Sequence, residues 1–206
     1  MNDYCKVFTM KLLEDGFITR NRKIILIAIA VMLISAIAGA SIAYLNANGK
    51  YNVISNAMKS HPVQNSTNNN IGMGAVNLFI HNIIANFAVV VGGLFFSIIS
   101  VILIIFNGMT IGSVFGIDLP YALVTILPHG IVEYFAGALA LAIAFKITSL
   151  ELKIIKNRNL KKTINDNKTD LKDILVILII MIILLGIAAI IEAHITPIIA
   201  KMYFGL

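Results

Sequence analysis

The chain has no lysine or arginine over residues 60–145, and the only acidic residues in that stretch are Asp118 and Glu133. Soluble domains carry about a quarter charged residues along their length. A stretch with this little charge is expected to lie in the hydrocarbon of a bilayer, with its few polar side chains facing the protein interior. We therefore predict a multi-pass protein of the cell membrane, surrounded by the lipid bilayer.

Cysteine is nearly absent as well, since Cys5 is the only one. A single cysteine excludes a disulfide framework within the chain, and nothing in the sequence around Cys5 suggests an activated catalytic thiol. Charged residues make up 13% of the chain and give a net charge of +6. The basic residues cluster beside apolar runs, which is the positive-inside pattern of membrane proteins. We therefore expect no nucleic acid as a partner.

Composition divides the chain into six segments. A basic N-terminal segment precedes a first apolar run, an Asn- and Ser-rich loop, a long apolar core, a second basic segment, and a last apolar run with its tail. Their bounds are 1–23, 24–45, 46–74, 75–145, 146–173 and 174–206. The first apolar run is long enough to cross a bilayer and too long for the apolar part of a signal peptide, so we interpret it as a retained span.

The charges of the loops predict the number and direction of the spans. Five basic residues lie in segment 1–23 and eight in 146–172, against two in the loop 46–74. The positive-inside rule places the two basic segments in the cytoplasm and the loop outside. Three crossings within 75–145 then give an all-α polytopic transmembrane helical bundle of about five spans, with the N-terminus cytoplasmic and the C-terminus outside. The alternative, one long tilted span within 75–117 and a re-entrant segment over 107–120, leaves four spans and puts the second basic segment outside, which the charge rule disfavours.

The densest polar set in the apolar core is Pro128-His129-Gly130, followed by Glu133. His129 and Glu133 are four residues apart, so on a helix they lie on one face. Pro128 suits the first turn of a helix, which would leave residues 121–127 as a separate or irregular segment. A broken helix at bilayer depth is tolerated only where the chain lines a cavity or is buried in protein.

More polar and small side chains lie in or next to the apolar spans. Asn82 and Asn86 are four residues apart and so share a helix face, whereas Gly108 and Gly112 have the spacing that lets helices approach closely. Asp118 falls in an outer turn, where we expect it to be solvated. The candidates for a substrate or proton path are His129, Glu133, Asn107, His81, Asn82 and Asn86, and the packing or signature candidates are Gly108, Gly112, Pro128 and Gly130.

Two further features lie outside this core. Glu192 and His194 form a polar pair at the outer end of the last span. Asn65 begins an Asn-Ser-Thr sequence in the outer loop, which is an acceptor for glycosylation. Because such tripeptides are common by chance, we expect an unmodified loop.

Three interpretations of the intramembrane polar residues remain open. In the first, they form a buried network that fixes helix packing. In the second, they line a path for a substrate or for protons, since His and Glu side chains exchange protons near neutral pH in such sites. In the third, they hold a catalytic metal, which needs three protein ligands, whereas the chain lacks an HExxH motif. We predict no catalytic residue, no metal and no cofactor.

The pattern and order of these residues resemble those of the stage II sporulation protein M family of integral membrane proteins. The similarity covers about residues 76–145 and runs through Asn82, Asn86-Phe87, Asn107-Gly108, Gly112, Pro128-His129-Gly130 and Glu133. The resemblance implies about five spans with the N-terminus inside, and it marks the His, Glu and Asn–Gly positions as a signature. The namesake of the family acts in a membrane complex with cell-wall hydrolases, in which the enzymes are its partners.

These observations favour a non-enzymatic membrane scaffold or assembly component as the first hypothesis. A transporter or channel with a polar intramembrane path is the second, and an intramembrane metal-dependent hydrolase is the least favoured. We expect membrane protein partners and a homo-oligomer. The glycine-lined helix faces can pack either within one chain or between protomers, and the sequence leaves that choice open.

Overall fold

The long apolar runs of the sequence form helices, because inside a bilayer a helix satisfies its own backbone hydrogen bonds. A computed structural model describes residues 16–47 and 71–204, and the regular elements within these ranges are all helical. Five of the helical segments are long and apolar enough to cross a membrane. The all-α class and the five spans are thereby confirmed, whereas the direction of the termini stays a prediction. Cys5 and the Asn65 acceptor sequence lie outside the described residues.

The described helices are joined by short connections from α2 onward. In chain order they are α1 (Phe17–Asn46), α2 (Ile71–Gly92), a 3₁₀ turn (Gly93–Phe95), α3 (Ile98–Ile117), α4 (Leu119–Thr125), α5 (Leu127–Asn157), α6 (Leu160–Asp166), α7 (Lys168–Ile190), a π-helical turn (Ile191–Ile195) and α8 (Thr196–Phe204). The segment 146–173, expected to be a loop, is instead mostly helical. It holds the end of α5, the whole of α6 and the start of α7.

Two separate helices, α2 and α3, occupy the stretch for which the sequence left one span or two open. The chain reverses at Gly92 and Gly93, where a Cβ on Gly93 would lie only 2.8 Å from Cα of Ala144 in α5. The hydroxyl of Ser100 donates to the carbonyl oxygen of Val89 at 2.6 Å and joins the two helices beside this turn. The alternative of one tilted span with a re-entrant segment is therefore wrong.

Glycines let α1 and α3 approach each other closely. A Cβ added to Gly112 would lie 2.7 Å from the carbonyl carbon of Ala36, and one added to Gly39 would lie 2.6 Å from Cα of Met109. Real Cβ atoms essentially never come this close to backbone, so only glycine fits. The predicted close-packing glycines are thus used within one chain, and we call this contact the glycine seam.

The middle of α5 forms the centre of the bundle. Residues 136–144 are all buried, and they are mostly alanine with Leu139, Leu141 and Ile143 among them. Helices α1, α2 and α7 all pack against α5. This run of α5 therefore fills the centre of the bundle with apolar side chains.

A buried ionic cluster joins α1, α5 and α7 at the end of the bundle that the charge pattern places in the cytoplasm. Asp173 is 2% exposed, and Arg20 donates to its two carboxylate oxygens at 3.1 and 2.8 Å. Asn21 donates to Asp173 at 3.0 Å, and Lys146 donates to the side-chain oxygen of Asn21 at 2.8 Å. No local sequence pattern indicates this cluster, which fixes the three helices relative to one another.

The chain breaks between α4 and α5 close to the predicted place. Residue Ile126 separates the two helices, and Pro128 is the second residue of α5, where its missing N–H is not needed. The expectation that Asp118 is solvated is wrong, because its relative exposure is 0%. Its carboxylate accepts a hydrogen bond from the backbone N–H of Tyr121 at 3.0 Å and caps α4.

Candidate functional site

A polar cleft of about 230 Å³ lies between α2, α3 and α5. Its polar lining comes from the middle of α2, the middle of α3 and one turn of α5. The polar lining residues are His81, Asn82, Asn86, Asn107, Glu133 and Tyr134. Five of the six residues predicted to line a substrate or proton path therefore line this cleft, and His129 is the exception.

Glu133 is the ionisable group at the centre of this cleft. The side-chain amide of Asn82 donates a short hydrogen bond to Oε1 of Glu133. Asn86, one turn further along α2, donates to the backbone oxygen of Asn82 at 2.9 Å. These contacts hold the carboxylate against α2, and the cleft is also lined by Asn86 from α2 and by Asn107 from α3.

Tyr134 separates the polar cleft from a second, apolar space. Its hydroxyl donates a short hydrogen bond to the carbonyl oxygen of Met32 in α1. Tyr134 and Ile111 also line an apolar groove of about 570 Å³ between α1, α3 and α5. The tyrosine ring thus lies between the polar cleft and the apolar groove and lines both.

His129 lies one helical turn away from Glu133 and contacts a different part of the chain. Its Nδ1 atom is 3.2 Å from the hydroxyl of Thr196, and its Nε2 atom is 3.9 Å from Oε1 of Glu192. The spacing of four residues does place both side chains on one face of α5. However, the neighbours differ, because Glu133 faces α2 and His129 faces the last span.

The π-helical turn Ile191–Ile195 supplies Glu192, and Thr196 follows the turn directly as the first residue of α8. Pro197 follows this turn, and it cannot donate a hydrogen bond to the carbonyl of Ala193 four residues before it. A wider turn just before a proline relieves that conflict, and such turns are frequent at functional sites. Sequence analysis named Glu192 but missed Thr196, although the spacing of four between them was a usable signal.

The chemistry of the cleft lining favours some ligands over others. None of its described lining residues is lysine or arginine, so nothing there compensates an anion. One carboxylate and three carboxamides offer oxygen atoms that suit hard cations, and they also offer hydrogen bonds to a small neutral solute. Within residues 16–47 and 71–204 there is no group of three or more His, Cys, Asp or Glu side chains that would hold a metal ion.

Comparison with known proteins gives the chain a family. Residues 27–197 match the family model of stage II sporulation protein M, a range that includes the polar cleft, His129 and the glycine seam. An uncharacterized protein of Methanocaldococcus jannaschii is 35% identical over 137 residues, which is 64% of this chain and 75% of that protein. No solved structure matches the chain. The chain is an integral membrane protein that belongs to the stage II sporulation protein M family.

Proposed function

We propose that the protein binds a small cation or small neutral polar solute in the polar cleft and passes it across the membrane. The observation that carries this proposal is the grouping of Glu133 with Asn82, Asn86 and Asn107 around one space in the apolar core. Polar and ionisable side chains at bilayer depth are costly, and they commonly mark substrate and ion pathways.

The size of the cleft supports binding of a small species. A water molecule occupies about 30 Å³ of liquid volume, so a cleft of about 230 Å³ has room for a cation with part of its hydration shell. A large substrate does not fit. A purely structural network would fill such a space with side chains, because protein interiors are close-packed.

The surroundings of the cleft support access from one side. The apolar run 136–144 of α5 lies on the side of the ionic cluster and is buried throughout. The polar residues His129, Glu192 and Thr196 lie on the opposite side, which the charge pattern places outside. We propose that the structure represents a conformation open toward the outside, and that passage requires rearrangement of the inner half.

Flux into liposomes tests this proposal. The purified chain is reconstituted and assayed with Na⁺, K⁺, protons and a small neutral amide, alongside Glu133→Gln and Asn82→Ala. An interaction with a charged group is worth about 1.5–3 kcal/mol, so flux of the transported species is expected to fall roughly tenfold or more in Glu133→Gln. Asn77→Ala is the matched control, since Asn77 is an exposed asparagine of α2 that does not line the cleft. Equal flux in Glu133→Gln and the wild type overturns the proposal.

A membrane scaffold is the second candidate function, and the glycine seam and the buried ionic cluster favour it. Both features hold the helices in one arrangement, which suits a protein that presents a fixed surface to membrane partners or to further copies of itself. In that case Glu133 and Asn82 are packing determinants. Glu133→Gln then lowers thermal stability or assembly, and no solute moves through the wild-type protein.

A further inference from the structure

A second polar site lies beside the cleft, at the end of the bundle where the last span meets α5. It consists of His129 on α5, with Glu192 and Thr196 from the last span. We infer that the carboxyl of Glu192, held by His129, carries protons between this end of the bundle and Glu133 in the cleft. The inference rests on the proposed solute path, and it names the proton as the ion coupled to that path.

Glu192 is placed between the surface and the cleft. Its side chain is 29% exposed and lies toward the end of the bundle that the charge pattern places outside, which is where it would exchange protons with the bath. His129, which faces Glu192, lies one helical turn from Glu133 on the same face of α5, so Glu192 is held near the mouth of the cleft. Chains of Asp, Glu and His side chains of this kind form the proton relays of membrane pumps and transporters.

His129 is the positioning residue of this relay. Its Nε2 atom faces Oε1 of Glu192 at 3.9 Å, about an ångström beyond hydrogen-bond distance, which a rotamer change or one bridging water closes. Its Nδ1 atom is fixed by the hydroxyl of Thr196 at 3.2 Å. Since the side chain is 11% exposed, these two partners set the orientation of the ring.

The proton transfer balances without any other reactant. A proton from the bath binds the carboxylate of Glu192 and makes it a carboxylic acid. Glu192 then gives this proton to the carboxylate of Glu133 and returns to the ionised form, which His129 stabilises. The reverse sequence releases the proton when a cation enters the cleft, so proton and cation exchange in opposite directions.

Other titratable groups lie on the elements packed around these residues. The described ones include His81 on α2, Asp118 before α4, Tyr121 on α4, Tyr134 on α5, His194 in the π-helical turn, and Lys201 and Tyr203 on α8. Asp118 is committed to capping α4, and Tyr134 donates to α1. His194 is exposed, and its ring contacts the backbone oxygen of Ile190, so it serves as a control in the same turn.

The test follows the protonation of Glu133 in the full chain reconstituted in lipid. After a rapid pH drop, time-resolved infrared spectroscopy records the carboxylic C=O band that Glu133→Gln abolishes. Because positioned acid–base groups contribute large rate factors, Glu192→Gln is expected to slow the appearance of this band by roughly tenfold or more. His194→Gln should match the wild type. The wild-type rate in a folded Glu192→Gln protein overturns the inference.

A second variant covers the case in which Glu192→Gln does not fold. In Glu192→Ala, acetate added to the bath is expected to restore the rate, since it supplies the missing carboxyl, and absence of restoration counts against the relay. Solute flux measured on the same variants separates the two proposals. If Glu192→Gln slows the protonation of Glu133 but the wild type carries no solute, the proton relay is supported and the solute path is overturned. If flux depends on Glu133 but the protonation rate in Glu192→Gln equals that of the wild type, the solute path is supported and the relay is overturned.

Discussion

Substitution of Gly112 by alanine tests the glycine seam between α1 and α3. A Cβ at this position would lie 2.7 Å from the carbonyl carbon and 2.9 Å from Cα of Ala36, whereas ordinary contact begins at 3.4 Å. These are backbone atoms in the middle of α1, so they can move only if the whole helix moves. Overpacking of this kind costs about 1–3 kcal/mol, and we expect Gly112→Ala to fall in the upper half of that range.

The assay is the free energy of unfolding in mixed micelles, titrated with a denaturing detergent. Gly74→Ala is the matched control, because a Cβ on Gly74 meets nothing within 4 Å and alanine favours a helix by about 1 kcal/mol over glycine. The control should be as stable as the wild type or more so. A loss under about 0.5 kcal/mol in Gly112→Ala, a typical surface effect, refutes the seam. If the loss depends on protein concentration, the contact lies between protomers rather than within one chain.

Two further predictions concern buried acidic residues. Asp173→Ala removes the carboxylate that Arg20 and Lys146 share, although Lys146 keeps Asp170 at 3.2 Å. Removal of one partner of a buried ion pair costs about 3–5 kcal/mol. Because the side chain of Arg20 is 34% exposed, we expect the lower end of that range in the same unfolding titration. Arg20→Ala combined with Asp173→Ala should cost less than the sum of the two single changes, and strict additivity would contradict the cluster. Asp118→Ala removes the cap of α4 and should cost about 1 kcal/mol, whereas Asp118→Asn should retain most of it. Equal losses in the two Asp118 variants would contradict the capping role.

The helical bundle was predictable because its signals are local in the sequence. Apolar length and the distribution of lysine and arginine predict five spans without any knowledge of contacts. The spacing of Gly108 and Gly112 likewise predicts a close helix contact. Which helix they contact was not predictable, because the small residues around Ala36 in α1 are typical of many spans.

The residues of the candidate site were predictable from the sequence, but which of them contact one another was not. Rare polar residues at bilayer depth identified Asn82, Asn107 and Glu133 as candidates, and the structure brings them to one cleft. The spacing of His129 and Glu133 describes one helix face, but neighbouring helices determine which residues each side chain meets. For that reason the sequence grouped two residues that have separate partners.

The ionic cluster shows another limit of sequence patterns. Arg20 and Asn21 fall in a basic segment whose charges are explained by the positive-inside rule alone. Lys146 and Asp173 sit at the two ends of a segment that composition assigns to a loop. Their pairing depends on helices α5 and α7 extending beyond the apolar runs, which no local pattern indicates.

The central claim is that a polar, water-accessible cleft lies among these spans, and cysteine labelling tests it most directly. In a Cys5→Ser background, which removes the single native cysteine, Asn107→Cys is treated with a cationic and an anionic thiol reagent from each side of the membrane. Phe106→Cys is the control, since Phe106 is its neighbour in α3, is 67% exposed and does not line the cleft. We predict that Asn107→Cys reacts faster with the cationic than with the anionic reagent, and from one side only. This preference for the cationic reagent should be lost in Glu133→Gln. Phe106→Cys should stay unreactive, because its side chain faces lipid rather than the cleft. Asn107→Cys that is unreactive from both sides would contradict the account.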